Sequence, residues 1–137
     1  MPTFSESLRI TAPRKGLLDI TRQVAEVVER SRVEGGLCNL FIHHTSASLT
    51  IQENADPSAR RDLEAFLERL VPPNQPYFTH TAEGPDDMPS HIKSILTEVS
   101  LLVPVSGGRL GLGTWQGIYL WEHREQPPAR KLTVSVW

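Results

Sequence analysis

The chain is poor in the features that settle a function quickly. It has one cysteine, Cys38, so no disulfide can form within it and a cysteine-based metal site is not expected. Neither sign of charge dominates: 14 Lys and Arg stand against 16 Asp and Glu, interspersed, for a net charge of −2. A nucleic-acid binder would need its basic residues clustered on one face, so none is expected. The basic pairs Arg60-Arg61 and Arg130-Lys131 read as solvated side chains. No apolar run approaches the ~20 residues of a membrane-spanning helix. The opening residues show no basic region followed by an apolar stretch, so a soluble, cytoplasmic protein is the expectation. Internal repeats and low-complexity tracts are absent. So are a serine nucleophile elbow, a Walker A loop, a zinc-finger spacing and an HExxH motif.

What is present fits one domain of 137 residues with 39% hydrophobic content. Phe4 to Ile10 alternates apolar and polar residues, the pattern of a half-buried strand. Pro13 to Gly16 reads as a turn. Ile20, Val24, Val27 and Val28 share a helical face, capped by Asp19 or Thr21 and ended by Gly35-Gly36. Leu37 to His44 and Ser48 to Ile51 read as strands. Asp56-Pro57 opens a second helix, because Asp can accept free amides and Pro suits the first helical position. Its apolar face is Leu63, Phe66, Leu67 and Leu70, and Pro72-Pro73 stops it. Pro89 can start a third helix with Ile92, Ile95, Leu96 and Val99 as its buried stripe. The last third reads as β: Leu101 to Val105, a hairpin at Ser106-Gly107-Gly108 continued by Leu110 to Gly113 and Ile118 to Trp121, then Lys131 to Trp137. Pro104 within a strand signals an edge or a bulge. The expected class is α+β, with antiparallel sheets and about three helices.

The densest chemistry lies in His80-Thr81-Ala82-Glu83-Gly84-Pro85-Asp86-Asp87-Met88-Pro89-Ser90-His91. Two imidazoles and three carboxylates surround a Gly-Pro turn there, which is what a metal ion or acid–base chemistry needs. One aspartate suffices to cap a helix, so the second and Glu83 point to function. His43 and His44 fall on opposite faces if the strand runs through them, so only one can face a given site. With His80 and His91, that one completes a candidate three-histidine site. Glu53-Asn54 and Asp56 form either a helix-entry loop or a site wall. Residues 107–117 contain five glycines, so the backbone there can approach a ligand closely. Either Arg109 and Arg124 hold a phosphate or carboxylate bidentately and Trp115 stacks on an aromatic ring, or the stretch is a glycine-rich hairpin with bulges and a structural Trp. Glu122 either pairs with Arg124 or faces a site. Cys38, in a buried-type strand, reads as core.

Taken in order, these motifs resemble the YjbQ-like family, described as secondary thiamin-phosphate synthases. The resemblance runs through His44 to Leu49, Glu53 to Pro57, Glu83 to Lys93 and Gly108 to Arg124, which covers nearly the whole chain. It implies a two-sheet β-sandwich decorated by helices, assembled as a homotrimer, with a site near the subunit interfaces. It implies His44, His80 and His91 as metal ligands, with Asp86, Asp87 and Glu83 as their acidic, catalytic partners. Arg109, Thr114, Trp115, Gln116, Arg124 and Lys93 are the implied contacts to a small phosphorylated substrate. The implied reaction joins a hydroxymethylpyrimidine diphosphate to a thiazole phosphate and releases pyrophosphate. Aspartates suit Mg²⁺ for that chemistry, whereas clustered imidazoles suit Zn²⁺ or another transition metal. A metal-dependent hydrolase and a non-catalytic ligand-binding trimer are therefore carried as alternatives. The chain departs from the family at Glu98, where relatives often have a glycine suited to a left-handed helix cap.

Overall fold

The computed structural model describes residues 3–137. The order is β1 (Phe4–Ile10), β2 (Gly16–Asp19), α1 (Thr21–Ser31), β3 (Gly35–Ile42), β4 (Ala47–Glu53), α2 (Pro57–Leu70), α3 (Asp87–Leu96), β5 (Ser100–Ser106), β6 (Arg109–Leu110), β7 (Gln116–Glu122) and β8 (Arg130–Val136). Two antiparallel sheets result, one of order β1-β8-β3-β5-β6 and one of order β2-β7-β4. With three helices, this is the α+β class expected.

Alternation explains the first sheet. Leu132, Val134 and Val136 of β8 and Cys38, Leu40 and Ile42 of β3 point inward, onto Ala47, Leu49, Ile118 and Leu120 of the second sheet. Val24, Val27 and Val28 of α1 close the same core. Cys38 is fully buried, and burial pushes its thiol up to about 11, so it is core as expected.

β7 differs, because it is covered on both faces. Ile118 and Leu120 enter the main core, while Tyr119 and Trp121 meet Leu17, Leu67 and Val71 in a second cluster under α2. That explains the unbroken apolar run, the pattern of a doubly covered strand.

Several sequence expectations are corrected. The hairpin does not continue from Leu110 to Trp121: β6 is two residues long, and β7 crosses into the other sheet between β2 and β4. Two consecutive apolar runs give no sign of which sheet each will join. α1 ends at Ser31, with Arg32 left-handed at φ 59°, so Gly35-Gly36 opens β3 instead of ending a helix. A side chain at Gly36 would overlap the Trp137 carbonyl, which is why glycine stands there. Gly16 begins β2, a strand that the turn reading hides. Pro104 sits on β5, whose outer neighbour is only the short β6.

The helices depart furthest from expectation. On α2 only Leu67 is buried, and Phe66 and Leu70 are exposed. On α3 the expected stripe fails: Ile95 is 81% exposed, and Leu96 and Val99 are exposed too. Its buried residues are Asp87, Pro89, Ser90 and Lys93. The helix therefore turns a polar face inward, where side-chain pairing outweighs apolar burial. It ends at an extended Thr97, and Glu98 bridges Leu49 with an ordinary φ, so replacing the family's glycine strains nothing.

Candidate functional site

The start of β4, the end of β7, the start of β8 and the N-terminus of α3 converge at one edge of the sandwich. Gly84, at φ 102°, makes the turn that delivers the chain into α3. Asp86 occupies the N-cap position, but its side chain does not cap. It accepts from Arg124 Nε and the Glu125 amide, each at 2.9 Å. Burial opposes its ionisation, but those donors outweigh it and hold its carboxyl below the ordinary range.

Asp87 is the centre. Its side chain is 3% exposed, and both oxygens are engaged. Arg124 Nη1 donates to Oδ1 at 2.7 Å. His80 Nε2 lies 2.7 Å and His91 Nε2 3.1 Å from Oδ2. Burial works against the charged form of Asp87, and the His80 hydrogen bond with the nearby charges of His91 and Arg124 overcomes it, so its carboxyl stays below the usual range. Asp87 and His91 are four residues apart, which stacks them on one face of α3. Across the site, His91 Nδ1 donates to the Thr45 carbonyl at 2.8 Å. One ligating atom each from His80, Asp87 and His91 falls within 4.8 Å of the others.

Of the residues implied as ligands, His44 stands outside this cluster. β3 stops at Ile42, so the alternation argument for His43 and His44 does not apply. His44 Nε2 accepts the Lys131 amide at 2.7 Å, and its Nδ1 faces Arg130 at 3.4 Å. Burial, then the Arg130 charge, lowers its proton affinity. Its neighbour His43 turns to Thr133. Glu83 is exposed and lies 3.4 Å from His80 Nε2, at the rim.

The implied phosphate contacts scatter. Arg124 is spent on Asp86, Asp87 and the Glu83 carbonyl. Lys93 is buried and paired with Glu68, tying α3 to α2. Gln116 pairs with Glu53 at the far end of β7, while Glu122 at the near end pairs with Ala47. Seven residues of strand span about 20 Å, so Thr114, Trp115 and Gln116 lie that far from the cluster. Arg109 on β6 lines a separate recess against α1. Glu53, Asn54 and Asp56 prove to be helix-entry and loop contacts: Glu53 accepts the Asp56 amide, Asp56 accepts Ser58, and Asn54 holds the Thr114 and Gln116 carbonyls.

Residues not expected to ligate metal or substrate complete the edge. Arg130, expected to be solvated, is buried and bonds Glu122 at 2.5 Å, which answers which partner Glu122 takes. Behind the cluster, the buried His123 Nε2 meets Ser48 Oγ at 2.8 Å, and Ser48 meets Thr97. Burial drives the His123 proton affinity down to about 3, with help from Lys93 and Arg130. The one sequence signal is a Glu-His-Arg run ending an apolar strand. A cavity of about 600 Å³ opens beside His91, lined by His44, Thr45, Ala47, Ser48, Thr97 and Val99 among others. That volume suits a small molecule.

Two imidazole nitrogens and one buried carboxylate oxygen form a donor set suited to Zn²⁺ or a similar transition metal, and less to Mg²⁺, which prefers oxygen.

Comparison with known proteins gives a consistent answer. The family described as "UPF0047 protein YjbQ-like" matches residues 6–137. A UPF0047 protein of Synechocystis is 50% identical over 131 residues, covering 96% of this chain and 89% of its own. The UPF0047 protein YjbQ of Escherichia coli O157:H7 is 43% identical over 134 residues, covering 97% and 96%. Among solved structures, a YbjQ-like protein of unknown function from Sulfolobus solfataricus superposes with a TM-score of 0.89 at 25% identity, over 98% of this chain and 96% of that one. A conserved hypothetical protein from Thermus thermophilus gives 0.83 at 38% identity, over 96% and 99%.

Proposed function

Because the chain belongs to the YjbQ-like UPF0047 family, and its chemistry converges on His80, Asp87 and His91, we propose that it is a metal-dependent enzyme acting on a small substrate in the adjoining cavity. One observation supports a cation here. His91 gives its Nδ1 proton to the Thr45 carbonyl, so in the neutral ring Nε2 is a lone pair. That lone pair faces the Asp87 Oδ2 lone pairs at 3.1 Å. Two acceptors at that distance need a cation between them, either a second proton on the ring or a metal ion. A backbone carbonyl orienting a histidine in this way is also the usual outer support of a metal ligand. Tetrahedral zinc places neighbouring ligand atoms about 3.4 Å apart. The distances of 2.7 and 3.1 Å therefore need only a small opening.

When bound, such an ion would supply a Lewis acid and an acidified water. The protein's own part is separable. Thr45 fixes the His91 tautomer, Arg124 fixes Asp87, and Glu83 stands 3.4 Å from His80 as an exposed carboxylate at the rim. Ala47 and Val99 offer an apolar wall for the substrate's body, with the hydroxyls of Ser48 and Thr97 beside them.

Hydrolysis of a small phosphorylated or carboxylated molecule is the reaction this set supports best. Arg124, Lys93 and Arg130 are all committed to carboxylates, so none of them is a free basic clamp for a leaving diphosphate at this edge. Thiamin-phosphate synthase activity is the second reading, favoured by the family resemblance. It needs Arg109 and Trp115, which could reach the site only from another subunit. The homotrimer belongs to that reading, and Trp115, 64% exposed, is available to a neighbour.

The test is an assay of protein reconstituted with Zn²⁺, Mn²⁺ or Mg²⁺, on the two thiamin precursors and on a panel of phosphate and carboxylate esters. Metal-dependent turnover lost in Asp87→Asn supports the proposal, and the active substrate decides between the two reactions. No turnover on any member, with metal bound, would favour a binding protein instead.

A further inference from the structure

We infer that Arg124 is a positioning residue that makes Asp87 a one-oxygen ligand. The inference rests on the metal reading above and adds a division of labour to it. One guanidinium grips three groups of the loop: Nε donates to Asp86 Oδ2 at 2.9 Å, Nη1 to Asp87 Oδ1 at 2.7 Å, and Nη2 to the Glu83 carbonyl at 2.9 Å. Asp87 Oδ1 is thereby occupied, and only Oδ2 remains turned toward the two histidines. Arg124 is itself held from β7, since its amide donates to Glu122 Oε2 at 3.0 Å and Glu122 is locked by Arg130. The site's geometry therefore passes from the buried Glu122–Arg130 pair, through Arg124, to Asp87.

Residue chemistry makes the arginine hard to replace. Its planar fork meets three acceptors at once, while an ammonium offers a charge without that geometry. The guanidinium also offsets the repulsion between adjacent carboxylates at Asp86 and Asp87. This assigns Arg124 away from the substrate phosphate that the sequence suggests. It is a positioning residue because Nε, Nη1 and Nη2 each already donate to the loop.

The experiment is titration of purified protein with Zn²⁺ and Co²⁺, following affinity by calorimetry and the Co²⁺ visible spectrum. Arg124→Lys is expected to weaken binding by about 10- to 100-fold, the usual cost of losing an outer support of a ligand. Its Co²⁺ absorption should also fall, because a freed Oδ1 can join the ion and raise its coordination number. Should that variant fail to fold, Asp86→Asn decides, since it loosens Arg124 without touching Asp87, and it should shift both readouts in the same direction. Wild-type affinity and spectrum in the folded variant overturn the positioning role and leave the metal site standing. A wild-type protein that binds neither ion overturns the metal reading and this role with it.

Discussion

Glu122 Oε2 lies 2.5 Å from Arg130 Nη2, with both side chains withdrawn from water at the edge of the sheets. The pair is fully hydrogen-bonded. Arg130 also reaches the Ser46 carbonyl, and Glu122 accepts the Arg124 amide. It explains how a charged residue can end an otherwise apolar strand, and it fixes the backbone on which the site is built.

Removing one partner should be far worse than removing both. Glu122→Gln leaves a buried guanidinium without its charge partner, and a loss of about 3–5 kcal/mol is expected. The double change Glu122→Leu with Arg130→Met should recover most of it. Urea unfolding of the two single variants and the double variant measures the difference.

A second ion pair should behave asymmetrically. Lys93 is 4% exposed at its side chain, but Glu68 is 43% exposed. Lys93→Met leaves a carboxylate that water and Lys15 can still serve, so a cost of about 1 kcal/mol or less is expected. Glu68→Gln strands the buried ammonium and should cost several times more. Equal losses in thermal unfolding would contradict this picture.

The fold is partly legible in the sequence because alternation and capping are local. β1, β4, β8 and the start of α2 follow from their own residues. Topology does not: nothing in Leu110 to Trp121 says that one run stays in the first sheet and the next joins the second. The burial of α3 is hidden for a related reason. Ile92, Ile95 and Leu96 have helical spacing, but Asp87, Ser90 and Lys93 share the inward face: Asp87 meets Arg124, Lys93 meets Glu68, and Ser90 satisfies its hydroxyl on the helix's own Asp87 carbonyl. At the site, the density of His, Asp and Glu from His80 to His91 is a true sign of proximity. Residue type alone does not reveal that His44 accepts the Lys131 amide or that Arg124 donates to Asp86.

His123 predicts a pH dependence. Burial lowers its folded pKa from 6.5 to about 3, so between those values the unfolded chain binds a proton that the folded one does not. The stability it contributes is complete above pH 6.5 and is lost as pH falls toward 3. The limiting slope for one proton is about 1.4 kcal/mol per pH unit. His123→Asn, which can still meet Ser48, should flatten the curve of unfolding free energy against pH between the same limits of 6.5 and about 3. An unchanged slope would mean that His123 is not the group responsible.

The most direct test of the central claim is metal content. Wild-type protein is stripped with chelator, reconstituted with Zn²⁺, desalted and analysed alongside Asp87→Asn and His91→Ala, with circular dichroism to verify folding. The account predicts one zinc per chain in the wild type and substoichiometric zinc in both folded variants. A wild type without zinc, or variants that retain it in full, would contradict a metal site at His80, Asp87 and His91.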